Sequence, residues 1–207
     1  MNKHFIAAGV VICSLMSPLK ASAVTFTGIY GFGDSLTDTG GDSPTGRGNV
    51  FNATGGLIPP APFYSQGRFT NGRIWLDQLA SNLNLQSPTA ITQLTSATIP
   101  QNGINFAFGG ATTTGENTIS LTFPLPEQLP GIPQQIAAYT QLLANTQQSA
   151  DPNALYVLWA GANDYNPTQG TFEPLTSPEQ TLQFISNSIN VLASVGAKNF
   201  LVPNLPN

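Results

Sequence analysis

Apolar positions along the 207-residue chain fall into two alternating patterns. Short runs rich in β-branched and aromatic residues end in glycine or in a polar tip. Between them lie longer stretches with apolar residues three and four apart. The run "VTFTGIYGFG" (24–33) is of the first kind and predicts an opening strand. "GINFAFGGA" (103–111) predicts a short strand running into paired glycines, and "KNFLVPN" (198–204) predicts a last one. "ALYVLWAGAND" (154–164) is an almost unbroken apolar run into a polar tip, the pattern of a strand covered on both faces, as in a parallel sheet.

The second pattern predicts three helices. In 71–85, Ile74, Trp75, Leu76, Leu79 and Leu83 share one side, with Asn71 as the expected N-cap. The segment 132–148 has helical spacing with Pro133 in its first turn. The segment 177–197 reads as a helix capped by Ser177, opened by Pro178 and stopped by Gly196. Residues 40–72 and 112–130, rich in Gly, Pro, Asn and Thr, read as loops. Strands alternating with helices predict one α/β domain with a parallel sheet, whose ligands bind at the carboxyl ends of the strands. Three strands end in the tips "GDS", "GGA" and "GAND", which such a sheet brings to one edge.

The first 23 residues are expected to stand apart from this domain. A basic start, the apolar run "FIAAGVVICSLM" and the small-x-small site "ASA" have the build of a secretory signal peptide, and the run falls short of the roughly 20 residues that span a bilayer. Cleavage after Ala23 leaves 184 residues, enough for one domain with a real core. It also removes Cys13 and His4, the only cysteine and the only histidine. The remainder has no disulfide and no thiol or imidazole for a transition metal, so no metal and no cofactor is expected. Four basic side chains (Arg47, Arg68, Arg73, Lys198) then face ten acidic ones. No basic patch can neutralise several phosphates, which excludes nucleic acid as a partner. Export predicts a secreted or extracytoplasmic location.

Ser35 follows the first strand in "GDSL". Acyl transfer needs an exposed hydroxyl at a sharp turn, near N–H groups that can hold a developing oxyanion. Gly109 and Gly110 let backbone N–H groups approach a ligand, and the Asn163 amide is an oxyanion donor insensitive to pH. Each motif alone reads equally as a turn or a strand end. Together, Ser35, Gly110 and Asn163 at the ends of successive strands are the parts of an acyl-transfer site. "GFGDSLTDTGG" lacks the lysine and the register of a phosphate loop, and Asp34, Asp38 and Asp42 are spaced unlike calcium ligands.

The blocks "FGDSLTDTGG", "NFAFGGAT" and "GAND", with "GRFTNGRIWLDQLA" and "LVPNLP", resemble the GDSL esterases and lipases of the SGNH hydrolase superfamily from about residue 26 onward. The resemblance implies a three-layer α/β/α sandwich with a parallel sheet, of flavodoxin-like kind. It implies Ser35 as nucleophile, with its own N–H, Gly110 and Asn163 as the oxyanion hole, acting on small-molecule, lipid or acylated esters. Loop residues Phe51, Leu57, Ile58, Phe63, Tyr64, Leu121 and Phe123 are candidates for an acyl pocket and equally for loop anchors.

The resemblance also implies a D-x-x-H block supplying base and orienting acid, and no such block is present. The domain is therefore expected to be C-terminally incomplete, a fragment with little or no activity of its own. Asp34, Asp38 and Asp164 lie near the site, but an ordinary carboxylate is a weak base toward a hydroxyl. The alternatives are a non-catalytic binder of acyl or glycan ligands and a structural secreted domain.

Overall fold

The computed structural model describes residues 25–41, 45–95, 98–166 and 173–205. The expected signal peptide, 1–23, lies outside them. Strands β1 (Ile29–Gly33), β2 (Thr89–Ala90), β3 (Ile104–Asn105), β4 (Leu155–Trp159) and β5 (Asn199–Leu201) form one sheet in the order β2-β3-β1-β4-β5. Every pairing is parallel. The chain leaves β1 toward one side, builds β2 and β3, then crosses to the other side for β4 and β5. The carboxyl end of β1 is thus a topological switch point, where sheets of this kind open a crevice.

Alternation along β1 decides which helices cover which face. Tyr30 and Phe32 point to one face, where they join Phe106, Tyr156 and Leu158. There they meet Ile132, Ile136, Tyr139 and Leu143 of α4 (Ile132–Thr146) and Leu192 of α5 (Pro178–Ser194). Phe32 and Phe106 stack with centroids 5.2 Å apart, and Tyr139 sets its edge against both. The two buried phenols of Tyr139 and Tyr156 satisfy each other at 3.0 Å. Ile29, Leu155 and Val157 point to the opposite face, under Leu76 and Ala80 of α2 (Trp75–Asn82). The result is the three-layer α/β/α sandwich with a parallel sheet. Each fully buried large side chain contributes roughly 1.5–3 kcal/mol.

Gly33 explains how the sheet edge stays tight. A Cβ there would sit 2.4 Å from the Trp159 carbonyl oxygen and 3.1 Å from the Thr37 hydroxyl, so only hydrogen fits between β4 and the turn that follows β1. The registered β1–β3 pairing is confined to Gly31 and Asn105. Beyond it, buried Gln135 of α4 takes up the ladder. Its Oε1 accepts the Gly33 N–H and its Nε2 donates to the Gly33 carbonyl, both at 2.9 Å.

Several boundaries differ from the sequence pattern. The helix expected over 71–85 begins at Trp75, with Ile74 rather than Asn71 as N-cap, because the Asp77 carboxylate reaches back to the Ile74 N–H. The segment 40–72 contains a five-residue helix, α1 (Asn49–Ala53), and 112–130 contains another, α3 (Thr118–Thr122). Neither is long enough to show a 3.6-residue period. Each is nucleated by a side chain instead, Asp38 for α1 and Asn117 for α3. The strand expected over 198–204 stops at Leu201, two residues before Pro203, which has no N–H to donate. The strand expected over 103–111 is a ladder only at Ile104–Asn105, and the remainder is tied by Phe106 and Phe108 N–H groups to Gly31 and Gly33.

Gln135→Ala is expected to cost about 2–4 kcal/mol, since it leaves the Gly33 N–H buried without an acceptor and opens a cavity. The shift of the urea midpoint at unchanged slope measures it.

Candidate active site

Residues 34–38 wind into a single turn directly after β1. The Asp34 carbonyl accepts the Thr37 and Asp38 N–H groups, each at 3.0 Å, and the Asp34 carboxylate accepts the Leu36 N–H at 3.0 Å. The first N–H of such a turn has no partner within it. That is the Ser35 N–H, and among the described residues neither it nor the Ser35 hydroxyl has a hydrogen-bond partner. Ser35 is half-buried. Trp75 braces the turn by donating its indole N–H to the Leu36 carbonyl at 3.0 Å, and it packs edge-on against Trp159.

Below the turn lies a polar network that the apolar period does not reveal. Asp38, fully buried, accepts the Asn49 N–H, the Val50 N–H at 3.1 Å and the Gly109 N–H at 3.1 Å. Asn105 donates to the carbonyls of Thr37 and Thr39, at 2.7 and 2.9 Å. Thr39 meets Asp77 and Arg68, which form a buried ion pair at 3.2 Å. Arg68 also donates to the Gly41 carbonyl. The "GRFTNGRIWLD" stretch therefore anchors the loop after Ser35 from beneath.

Gly110 has φ +80°, and a Cβ there would meet Asn117 Oδ1 at 2.8 Å and Ile119 N at 3.0 Å. Glycine is required on both counts. The Gly110 carbonyl accepts the Thr118 N–H at 2.9 Å, while its N–H has no acceptor among the described residues. Asn163 sits in a 3-10 turn, Ala162–Tyr165, just past β4. Its Nδ2 donates to the carbonyl of Ala111 at 3.1 Å, which joins the third sequence block to the second. The next residue, Asp164, is buried and accepts the Thr113 N–H at 2.7 Å, the Thr113 hydroxyl at 2.5 Å and the Thr181 hydroxyl at 2.7 Å.

The structure thus places Asn163 against the residue after Gly110. It places Ser35 on the same carboxyl edge, two residues beyond Gly33, whose register partner on β4 is Trp159. Burial raises two of the carboxyls near the site. Burial pushes the Asp38 carboxyl up to about 7 against the pull of its three N–H donors, and the nearby Asp34 charge adds to the rise. Burial pushes Asp34 up to about 6, opposed by the Leu36 N–H and reinforced by Asp164. Among the described residues, no group of three or more His, Cys, Asp or Glu is placed to hold a metal ion.

Of the loop residues named as acyl-pocket candidates, Ile58 packs with Val50, Phe108 and Leu129 as an anchor. Leu57, Phe63, Tyr64 and Phe123 are exposed. A cavity of about 670 Å³, bordered by Gly41, Ser87 and Asn102, lies on the β2 flank, with Ser35, Gly110 and Asn163 outside its wall. The sequence reading missed Asp38, Asn105 and Gln135 as organisers of the site. The signal for Asn105 was present, a single amide inside the apolar run "GINFAF".

Comparison with known proteins gives the family. The family model of the GDSL-like lipase/acylhydrolases matches residues 29–207. A phosphatidylcholine-sterol acyltransferase of Aeromonas hydrophila is 31% identical over 207 residues, all of this chain and 52% of its own length. A GDSL esterase/lipase of Arabidopsis thaliana is 28% identical over 87% of this chain and 51% of its own. An acetylesterase of Thermothelomyces thermophilus is 26% identical over 91% of this chain and 56% of its own. The chain spans about half the length of these curated relatives. With the family model matching residues 29–207, the chain belongs to the GDSL-like lipase/acylhydrolase family.

Proposed function

We propose that this chain carries the nucleophile and oxyanion hole of an exported serine ester hydrolase. Ser35 Oγ attacks the ester carbonyl carbon. The Ser35 N–H, the Gly110 N–H and the Asn163 amide hold the oxygen as it gains negative charge. The ester C–O bond then breaks, the alcohol leaves with the proton given up by the serine, and the acyl group stays on Ser35. Water or a second alcohol takes the acyl group and returns a proton to Ser35, and one relative's name, an acyltransferase, describes the second outcome. The observation that carries the reading is the Asn163–Ala111 hydrogen bond, which ties the carboxamide to the residue after Gly110 and leaves its second N–H to donate. Residues 1–23 direct export in this reading. Among the described residues, no helix is long and apolar enough to cross a membrane.

The base is the missing part. His4 is the only histidine and belongs to the expected signal peptide. Asp38 and Asp164 commit their oxygens to buried donors, so neither takes a proton from Ser35. Without a positioned base, acyl transfer loses roughly 10²–10⁴-fold. The chain by itself is therefore a weak or inactive catalyst. The same absence favours a second reading, a binder of acyl ligands on the same edge.

With p-nitrophenyl acetate, the chain is expected to turn over slowly, and Ser35→Ala is expected to remove that rate. Asn163→Ala is expected to lower it about 10²-fold or more. A rate that survives Ser35→Ala sinks the nucleophile assignment.

The two raised carboxyls give a stability profile with a definite sign. Folded, Asp34 and Asp38 keep their protons up to about 6 and about 7, whereas an unfolded aspartate releases its proton near 3.8. The folded state binds more protons between these limits, so stability falls as pH rises through them. The melting temperature is expected to be higher at pH 5 than at pH 8, by on the order of 5 °C. Asp34→Asn should flatten the profile in a thermal series across that range.

A further inference from the structure

Four of the five backbone N–H groups of residues 109–113 are hydrogen-bonded, and the exception is informative. The four go to Asp38 (Gly109), the Phe108 carbonyl (Ala111), the Glu116 carbonyl (Thr112) and Asp164 (Thr113). Carbonyls of the segment accept from Asn117 (Gly109), Thr118 (Gly110), Asn163 (Ala111) and Ile132 (Thr112). Only the Gly110 N–H has no acceptor among the described residues, although Gly110 is buried. Buried peptide N–H groups are paired in more than about 90% of cases, so one open donor beside four paired ones marks a place for a ligand.

Above about pH 7, where Asp38 has given up its proton, the two ends of the segment are held by carboxylates. Asp38 comes three residues after Ser35 and grips Gly109. Asp164 comes one residue after Asn163 and grips Thr113. Each carboxylate therefore ties a proposed functional residue's own turn to the same five-residue strip. Charge-assisted hydrogen bonds are roughly twice as strong as neutral ones, and neither carboxylate has a role in moving protons. We infer that Asp38 and Asp164 are positioning residues, a two-ended clamp that presents the Gly110 N–H to the oxyanion between Ser35 and Asn163. The inference rests on the acyl-transfer reading for what the clamp presents, but the clamp itself can be tested without it.

The partners make the two ends behave differently under the same substitution. All three groups facing Asp38 are backbone N–H donors. In Asp38→Asn the new carboxamide turns its own N–H groups toward at least one of them, so the substitution breaks this end. Two of the groups facing Asp164 are hydroxyls, which can accept as well as donate. In Asp164→Asn, Oδ1 keeps the Thr113 N–H while Nδ2 donates to the hydroxyls. Asp164→Asn is tolerated and Asp38→Asn is not, a contrast between two isosteric substitutions that loss of bulk does not produce.

The test is amide hydrogen exchange by NMR on the full chain above pH 7. In the wild type, Gly109 and Thr113 are expected to exchange roughly tenfold or more slowly than Gly110. Asp38→Asn should speed Gly109, Asp164→Ala should speed Thr113, and Asp164→Asn should keep the wild-type pattern. Ser177→Ala, which removes the N-cap of α5, should lower stability without a selective change in this strip. Equal protection of Gly110 and its neighbours overturns the clamp, as does unchanged Gly109 exchange in Asp38→Asn. If Asp38→Asn does not fold, the wild-type pattern and the Asp164 pair decide the matter alone. Phenylboronic acid, an acceptor of the serine hydroxyl that yields an anionic tetrahedral adduct, tests the other half. It should shift the Gly110 amide in the wild type, bind at least tenfold more weakly to Asp164→Ala than to Asp164→Asn, and fail with Ser35→Ala. The exchange pattern without any boronate binding supports the clamp and overturns the oxyanion reading.

Discussion

A peptide group taken out of water needs a hydrogen-bond partner, and at the carboxyl edge of this sheet the ladder cannot supply one. β3 gives up regular pairing after Asn105, β1 ends at Gly33, and the chain between and beyond them still runs through the interior. Each unpaired buried group would cost about 1–3 kcal/mol. The sequence meets this need with side chains. Asp38 accepts three N–H groups, Asn105 donates to two carbonyls and accepts one N–H, Asn49 bridges to the carbonyls of Asn105 and Ala107, and Gln135 completes Gly33. The candidate site is shaped by this second, polar framework laid over the apolar one.

The framework has an electrostatic consequence. Carboxylates accept several N–H bonds well, but burying them favours the neutral acid, and here burial wins at both Asp34 and Asp38. The chain limits the cost by relying mainly on amides and hydroxyls, which carry no charge to desolvate. One buried cation is present among the described ion pairs, Arg68, and it is matched to Asp77 and to carbonyl oxygens rather than left to face the acidic turn.

How much of this was legible in the sequence depends on length scale. The strand cores of β1 and β4 and the helices α4 and α5 follow from apolar period and from Ser177 and Pro178, because a long amphipathic face leaves a repeating mark. The alternation of strands and helices likewise pointed to the parallel sheet. The five-residue helices α1 and α3 left no such mark, since a side chain from elsewhere in the sequence starts α1 and a single asparagine starts α3. The placement of Asn163 beside Ala111 was legible only as a convergence of strand tips. Asp38 looked like one more acid in a hydroxyl-rich loop, and nothing local indicates that its partner is Gly109, 71 residues away.

These ties also separate two tasks that catalysis joins. Among the described residues, the groups that fix the turn of Ser35, the strip at Gly110 and the Asn163 turn relative to one another come from within residues 29–181, and none of them is a histidine. An oxyanion hole works by holding its donors in place before charge develops, so its geometry does not depend on the group that removes the serine proton. A chain built this way is expected to recognise a tetrahedral anion while remaining a poor hydrolase. The weak-catalyst and acyl-binder readings then describe one surface with and without a base. Their difference lies in a single proton acceptor rather than in the fold, and supplying that acceptor in trans would convert one into the other without moving the clamp.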